Sequence, residues 1–157
     1  VIGSGFARKV QIPGFRACEG AEITSIASGT RVNAQAAAEE FEIPHVTDDW
    51  RETVDRDDVD LVCITTPPNL HREMVLYALQ RRKHILAEKP MAMNVAEGEE
   101  MCDAVEKAGV ANTVWYNYRR IPAVSFAKQL IDEGKLGRVF HYRANFLQDW
   151  TISADLP

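Results

Sequence analysis

The sequence predicts an α/β protein with a doubly wound parallel sheet. Short apolar runs alternate with helical stretches along the chain, a glycine-containing turn follows the first apolar run, and no internal repeat interrupts the alternation. Such apolar runs between helices are typical of parallel strands that helices cover on both faces. Ligands of these folds bind beyond the carboxyl ends of the strands, so the residues that follow each strand are the functional candidates.

The predicted elements follow one another at short intervals. Val1 and Ile2 end the first strand, and the first helix runs from Phe6 to about Ala17 despite Pro13. The later helices are predicted to start near polar caps, with Asn33 and Asn94 as candidates. The remaining strands are predicted over residues 22–27, 44–47, 60–65, 84–87 and 112–116, and the remaining helices over 32–41, 49–54, 69–82 and 94–108.

Composition excludes several classes of protein. The 157 residues are 46% hydrophobic, enough to bury the core of one domain with little left over. The net charge of -5 gives no electrostatic reason to expect a nucleic acid or an anionic membrane as partner. No apolar run approaches the ~18 residues of a membrane span, and no signal peptide is visible. Three cysteines without C-x-x-C spacing predict neither a disulfide framework nor a metal site, which favours a reducing cytoplasm.

Both ends of the chain indicate a fragment of a longer protein. Only two residues precede Gly3, whereas a central strand usually has about five, and there is no initiator methionine. At the other end, residues 140–146 alternate like a strand and the chain stops soon after.

The first candidate site is the glycine turn from Gly3 to Ala7. Glycine has no Cβ, so the backbone of Gly3 and Gly5 can approach a pyrophosphate closely, and the N–H groups that open the next helix can bind its charge. The third glycine of G-x-G-x-x-G is replaced by Arg8. G-x-G alone also occurs in flavin-binding and S-adenosylmethionine-binding folds and in plain strand-to-helix turns.

The second candidate follows the next strand, at residues 28–31. Enzymes selective for NAD commonly place an acidic residue here to bind the ribose 2′-hydroxyl. In this chain the first acidic residue after the strand is Glu39. Ser28 and Thr30 can instead donate hydrogen bonds, and Arg31 can pair with a phosphate. The pattern favours NADP(H) over NAD(H). In the alternative interpretation, Gly29 and Thr30 only turn the chain and Arg31 is solvated.

Two further strand ends carry polar side chains. Thr65, Thr66 and Pro67 suit a stiff wall against the adenosine and the pyrophosphate, or a simple turn capped by Asn69. His71 follows on the first turn of the helix, where a histidine is most often a structural or surface residue.

Glu88, Lys89 and Pro90 place charge at the end of the strand 84–87, where an active site is expected. A lysine there can exchange protons near neutrality or hydrogen-bond a substrate hydroxyl, and Glu88 can pair with it or cap a backbone group. The alternative is a surface ion pair before a proline turn.

Together these motifs resemble the Gfo/Idh/MocA oxidoreductases, the family of glucose-fructose oxidoreductase and inositol dehydrogenase. The similarity covers essentially the whole chain, and the joint pattern is more specific than any single motif. The motifs on which the resemblance rests are, in chain order, Gly3-x-Gly5-Phe6 with Lys9-Val10, Thr66-Pro67-Pro68-x-x-His71, Glu88-Lys89-Pro90 and Tyr116 through Pro122.

The resemblance implies a role for each candidate residue. The pyrophosphate would be held by Gly3, Ser4, Gly5, Phe6 and Ala7, and the adenosine ribose by Ser28, Gly29, Thr30 and Arg31. The rest of the cofactor would be lined by Thr65, Thr66, Pro67, Asn69, His71 and Glu88. Lys89 would be the catalytic residue, meeting both the substrate hydroxyl and the nicotinamide, with a cis bond before Pro90.

Two more residues are implied to lie near the reacting groups. Asn117 would lie near the nicotinamide and Arg119 near the substrate. Alternatively, the two residues form a capping cluster before the helix that starts at Pro122.

The implied activity is that of an NAD(P)-dependent dehydrogenase. A hydride would pass between the nicotinamide and a secondary alcohol of a sugar or cyclitol, in a protein that forms dimers or tetramers at full length. Residues 1–120 would form the dinucleotide-binding Rossmann domain, and 121–157 would begin the substrate domain, whose catalytic Asp and His would lie downstream. The fragment alone would then be inactive. Two alternatives are a non-catalytic NADP(H)-binding regulatory or redox-sensing module and an S-adenosylmethionine-dependent methyltransferase.

Overall fold

The computed structural model describes residues 1–149 and 152, and the chain divides into two compact units, Val1–Tyr116 and Asn117–Pro157. The first unit contains the strands β1 Ser25–Ala27, β2 His45–Thr47, β3 Leu61–Ile64, β4 His84–Ala87 and β5 Asn112–Val114. Its helices are α1 Gly5–Lys9, α2 Gln11–Arg16, α3 Arg31–Phe41, α4 Trp50–Val54, α5 His71–Gln80 and α6 Val95–Ala108, with a 3-10 helix at Pro68–Leu70. The second unit contains a 3-10 helix, Asn117–Arg120, and α7 Pro122–Asp132.

All the strand pairs are parallel, and Ile2 joins them into one sheet. Strand β1 pairs with β2, while β4 lies between β3 and β5. Ile2 forms single parallel bridges to Ala27 of β1 and to Ile64 of β3. The spatial order is therefore β2-β1-Ile2-β3-β4-β5. The chain first adds strands on one side of Ile2 and then on the other, so the order in which strands are added reverses there. This arrangement confirms the predicted doubly wound parallel sheet.

Helices pack on the sheet through two groups of buried side chains. One group joins β3 and β4 to the helices α5 and α6, and it includes Val62, Ile64, Met74, Ile85 and Met101. The other joins the helices α1 to α3 to β1, and it includes Ala7, Ile12, Ile26, Ala37 and Ile43. Each large aliphatic side chain buried in this way stabilises the fold by about 1.5–3 kcal/mol.

The residues Ala7 and Arg8 show how the fold accommodates the missing third glycine. Ala7 is fully buried, so it supplies the close contact between α1 and the sheet. The Arg8 side chain is 40% exposed and forms an ion pair with Glu40 of α3. A bulky residue at position 8 is tolerated because the side chain extends across the surface of α3.

The first predicted helix is in fact two helices that meet at Val10. Its backbone angles, φ -130° and ψ -62°, are not helical. Pro13 explains the interruption, since a proline has no N–H and its ring crowds the carbonyl group four residues earlier, here that of Lys9. Pro13 lies in the first turn of α2, where a missing N–H costs no helical hydrogen bond.

Two caps were predicted, of which one is confirmed. Asn94 caps α6 by accepting a hydrogen bond from the N–H of Glu97. The prediction for Asn33 is wrong, because Thr30 caps α3 and accepts from the N–H of Asn33 at 3.4 Å. Asp49 caps α4 in the same way, by accepting from the N–H of Arg51.

Other differences concern the ends of elements. Strand β1 starts at Ser25 rather than at residue 22, and β5 ends at Val114 rather than at 116. Helix α5 starts at His71, after the 3-10 turn, and ends at Gln80 rather than at 82.

The strand predicted over residues 140–146 is absent, since residues 138–149 form neither helix nor strand. Alternation alone does not make a strand, because strand N–H and C=O groups need a partner strand. The remainder of the predicted second domain, at residues 150, 151 and 153–157, lies outside the described part of the chain. Within residues 1–149, no helix has both the length and the apolar character needed to cross a lipid bilayer.

Candidate functional site

The glycine loop is anchored to the carboxyl ends of the two strands beside it. The N–H of Gly3 donates to the carbonyl oxygen of Ala27 in β1 at 2.8 Å. On the other side, the Thr65 hydroxyl, just after β3, donates to the carbonyl oxygens of Ile2 and Gly3 at 3.0 and 2.9 Å. The loop therefore lies at the point where the strand order reverses, which is where open α/β sheets bind ligands.

The two glycines of the loop have different environments. Gly3 has φ +98°, and a Cβ placed there would lie 2.6 Å from the Thr65 hydroxyl oxygen and 2.8 Å from its carbonyl oxygen. The structure thus requires glycine at position 3 for packing, independently of any ligand. A Cβ at Gly5 would meet no described atom within 4 Å, so the backbone there borders open space.

The open side of the loop offers unpaired hydrogen-bond donors. Among the described residues, no side chain caps α1, so its first N–H groups have no protein partner. Phe6 is 53% exposed beside them. Ser4 is buried, and its hydroxyl is hydrogen-bonded to that of Ser28, with 2.8 Å between the oxygens. This arrangement fits a pyrophosphate group, whose oxygens would accept from the free N–H groups.

The segment after β1 divides into a structural and an exposed part. The Ser28 hydroxyl is hydrogen-bonded to Ser4 of the glycine loop, and the Thr30 hydroxyl caps α3 by accepting from the N–H of Asn33. Contact of Ser28 or Thr30 with the adenosine ribose stays a prediction. Gly29 and Arg31 are exposed. Among residues 1–149, no carboxylate forms an ion pair with Arg31, so its guanidinium is available to an anion.

The segment after β3 continues through the 3-10 helix Pro68–Leu70 into α5. Pro67 and Asn69 are exposed and Thr66 is half-buried, with its hydroxyl 3.4 Å from the sulfur of Met74. Asn69 lies inside the 3-10 helix rather than before it, so it is not a cap. Contact of these residues with a cofactor stays a prediction.

His71 has the structural environment that was its alternative interpretation. The ring is fully buried, and both of its nitrogens face main-chain carbonyl oxygens. Nε2 lies 2.9 Å from the oxygen of Thr66, while Nδ1 lies 3.0 Å from that of Pro90 and 3.3 Å from that of Met91. His71 therefore links the turn after β3 to the turn after β4.

The turn after β4 separates its two charged residues. Glu88 is buried, accepts from the amide of Gln11, and also accepts from the N–H of Lys89 at 3.1 Å. The alternative of a surface ion pair between Glu88 and Lys89 is therefore wrong. Lys89 is exposed, and among residues 1–149 its ammonium group forms no ion pair. The Lys89–Pro90 bond is cis, as the resemblance implies.

Asn117 and Arg119 belong to the second unit, where both are exposed in the 3-10 helix. The alternative that they cap α7 is not supported, because Ile121 holds the cap position and no described side chain caps that helix. The carbonyl oxygen of Arg119 accepts from the Ser125 hydroxyl at 3.3 Å. Their roles toward nicotinamide and substrate stay predictions.

The cysteines show no catalytic environment. All three thiols are free, with Cys18 and Cys102 exposed and Cys63 buried. Burial raises the pKa of Cys63 to about 12, so its thiol stays protonated near neutral pH and is a poor nucleophile. Among the residues that the structure describes, no three His, Cys, Asp or Glu side chains are grouped to hold a metal ion.

Gln11 is the site residue that the sequence did not reveal. It is 2% exposed in α2, and its partner Glu88 lies 77 positions further along the chain. A glutamine in a short helix carries no local signal of such a contact, because only the fold brings the two side chains together.

Comparison with known proteins gives a consistent result. Residues 1–118 match the Gfo/Idh/MocA model, described as an oxidoreductase family with an NAD-binding Rossmann fold. A levoglucosan dehydrogenase from Pseudarthrobacter phenanthrenivorans is 41% identical over 124 residues, which are 79% of this chain and 32% of that protein.

Two solved structures extend the comparison. A levoglucosan dehydrogenase in complex with NADH and levoglucosan matches with a TM-score of 0.86 and 36% identity, over 99% of this chain and 44% of that one. A 3-ketoreductase from Actinomadura kijaniata in complex with TDP-benzene and NADP matches with a TM-score of 0.77 and 28% identity, over 85% and 42%. The chain thus spans less than half the length of each of these proteins.

Proposed function

The chain belongs to the Gfo/Idh/MocA oxidoreductase family, and from that premise we propose that it is the cofactor-binding part of an NAD(P)-dependent dehydrogenase. The reaction would transfer a hydride between the nicotinamide and a secondary alcohol of a sugar or cyclitol. The matching levoglucosan dehydrogenase and its complex with NADH and levoglucosan support this class of substrate.

The observation that carries the proposal is the convergence of three loops at one end of the sheet. The glycine loop is bonded to the end of β1 through Gly3 and to the end of β3 through Thr65. The turn with Lys89 follows β4, the neighbour of β3, and the N–H of Glu88 donates to the carbonyl oxygen of Ile64 at 2.9 Å. A lysine therefore lies at the same sheet edge as a loop that fits a pyrophosphate.

These residues divide the work of the reaction. A bound nicotinamide would supply the hydride chemistry, and the protein would supply binding and orientation. The loop at Gly5 would hold the diphosphate, and the exposed Lys89 ammonium would hydrogen-bond the substrate oxygen whose charge changes during hydride transfer. Fixing that oxygen relative to the cofactor is the main catalytic contribution expected of this chain.

Turnover in the full-length protein tests the proposal. The protein is incubated with NAD⁺ or NADP⁺ and a panel of anhydro-sugars, aldoses and inositols, and the absorbance of reduced nicotinamide is followed. We expect oxidation of at least one of these alcohols, and a loss of about 100-fold or more in kcat for Lys89→Met. Absence of turnover with the whole panel, in a folded protein that binds the cofactor, would refute the dehydrogenase proposal.

We further propose that the site prefers NADP(H). Two features support this preference, namely the exposed Arg31 at the start of α3 and the absence of an acidic residue between β1 and Glu39. Arg31→Gln should weaken NADPH binding by about tenfold and leave NADH binding nearly unchanged, because only NADPH carries a 2′-phosphate. Arg16→Gln, which removes an exposed arginine of α2, is the matched control. Equal losses for both cofactors in Arg31→Gln would contradict the preference.

A further inference from the structure

Lys89 lies in the turn of residues 88–91, and the lysine side chain does not itself hold this turn in place. Lys89 is exposed, and among residues 1–149 its ammonium group has no ion-pair partner. Its placement therefore depends on what holds the backbone of the turn. Two buried polar side chains from other elements do so.

The first of these side chains is Gln11 of α2. Its amide nitrogen donates to one carboxylate oxygen of Glu88, and the other oxygen of that carboxylate accepts from the N–H of Lys89 at 3.1 Å. Gln11 is 2% exposed and Glu88 is 8% exposed, so water is largely excluded from this pair. A carboxylate in such a position needs donors, and Gln11 is a donor from outside the turn.

The second side chain is His71, the first residue of α5. Its fully buried ring lies between the carbonyl oxygen of Thr66 on one side and those of Pro90 and Met91 on the other. Carbonyl oxygens only accept hydrogen bonds, so the ring must donate from at least one nitrogen. In this way His71 connects the far end of the lysine turn to the loop that follows β3.

We propose that Gln11 and His71 are positioning residues, which set the location of Lys89 by holding the turn at Glu88 and at Pro90–Met91. The inference rests on the proposed function, since its consequence is correct alignment of Lys89 with the substrate oxygen. A displacement of about 1 Å at such a group can lower turnover by up to about 100-fold. Neither residue is expected to touch the cofactor or the substrate.

The test uses the full-length protein and four variants. Gln11→Met and His71→Leu remove the donors, while His71→Gln keeps a side-chain amide that can donate to a carbonyl oxygen. Thr53→Val is the matched control, because Thr53 is fully buried in α4 and hydrogen-bonded to Ser25 at the amino end of β1, away from the lysine turn. The thermal unfolding temperature of each variant is measured first, so that variants of equal stability are compared.

The first readout is amide hydrogen exchange in a peptide covering residues 86–93, without cofactor. We expect exchange at least about tenfold faster in Gln11→Met and His71→Leu, with exchange close to wild type in His71→Gln and Thr53→Val. Unchanged exchange in both donor-removing variants, or the same acceleration in Thr53→Val, would overturn the inference. If His71→Leu does not fold, Gln11→Met alone decides the question, and exchange as slow as wild type in that variant would overturn the inference.

The second readout separates positioning from general stability. We expect kcat to fall about tenfold or more in Gln11→Met and His71→Leu, while the KM for the nicotinamide cofactor changes less than about twofold. A parallel rise in cofactor KM without loss of kcat would contradict the positioning role. Absence of turnover in the wild-type protein would instead refute the proposed function, and hydrogen exchange alone would then decide what holds the turn.

Discussion

Replacing Gly3 by alanine should destabilise the fold, whether or not a cofactor is present. The residue has φ +98°, a backbone conformation that alanine adopts only with strain. The added Cβ would also lie 2.6, 2.8 and 2.9 Å from the hydroxyl oxygen, carbonyl oxygen and carbonyl carbon of Thr65. Two of these atoms belong to the main chain at the end of β3, so they cannot move aside as a flexible side chain would.

The size of the effect follows from these two contributions. The left-handed backbone conformation costs a residue with a Cβ about 1–2 kcal/mol. Crowding of a packed interior adds about 1–3 kcal/mol. The expected loss is therefore about 2–5 kcal/mol, a large part of the ~5–15 kcal/mol that stabilises an ordinary domain.

Urea unfolding followed by circular dichroism measures this loss, and Gly5→Ala is the matched control. A Cβ at Gly5 would meet no described atom within 4 Å, so this variant should be as stable as wild type. Any weakening of cofactor binding in Gly5→Ala would then arise at the open side of the loop. If Gly3→Ala unfolds at the same urea concentration as Gly5→Ala, the close packing of Gly3 against Thr65 is refuted.

Three further predictions concern the turn after β4, the end of β3 and the surface of α5. Lys89→Met should abolish most turnover while the Kd of the reduced cofactor, measured by fluorescence, stays within about threefold of wild type. Thr65→Val removes the hydroxyl bonds to the glycine loop and should lower the free energy of unfolding, measured with urea, by about 1 kcal/mol. Hydrogen bonding to Arg72 lowers the pKa of Glu100. The pair therefore stabilises the fold fully at pH values above the ordinary pKa of a glutamate, and this contribution is lost as the pH falls through the lowered pKa. The difference in Tm between wild type and Arg72→Gln should therefore be small near neutral pH and should vanish at the acidic end of a pH series.

The sheet could be predicted from the sequence because its signals are local. The apolar run 84–87 is strand β4 residue for residue, and Asn94 caps α6 as its position before a helical stretch indicates. The start of α3 is less clear from the sequence. Thr30 rather than Asn33 caps this helix, a choice that the side-chain types alone leave open because both residues are good caps.

The candidate site was predictable in its position but not in its internal contacts. The residues after strands β1, β3 and β4 do lie at one edge of the sheet, since parallel strands end there. The roles within the site depend on partners far apart in the chain, such as Gln11 with Glu88 and Gly3 with Thr65. Sequence patterns carry no record of these pairs, so the burial of His71 and Glu88 was visible only in the structure.

The most direct test of the central claim is a titration of the purified protein with NADPH and with NADH, following protein fluorescence and energy transfer to the reduced nicotinamide. The proposed site predicts saturable binding of at least one cofactor, with NADPH tighter, and weaker binding in Gly5→Ala at unchanged stability. Tighter NADH would contradict the preference assigned to Arg31 and leave the site intact. If neither cofactor binds to a protein that circular dichroism shows to be folded, the glycine loop is not a dinucleotide site and the proposed function fails.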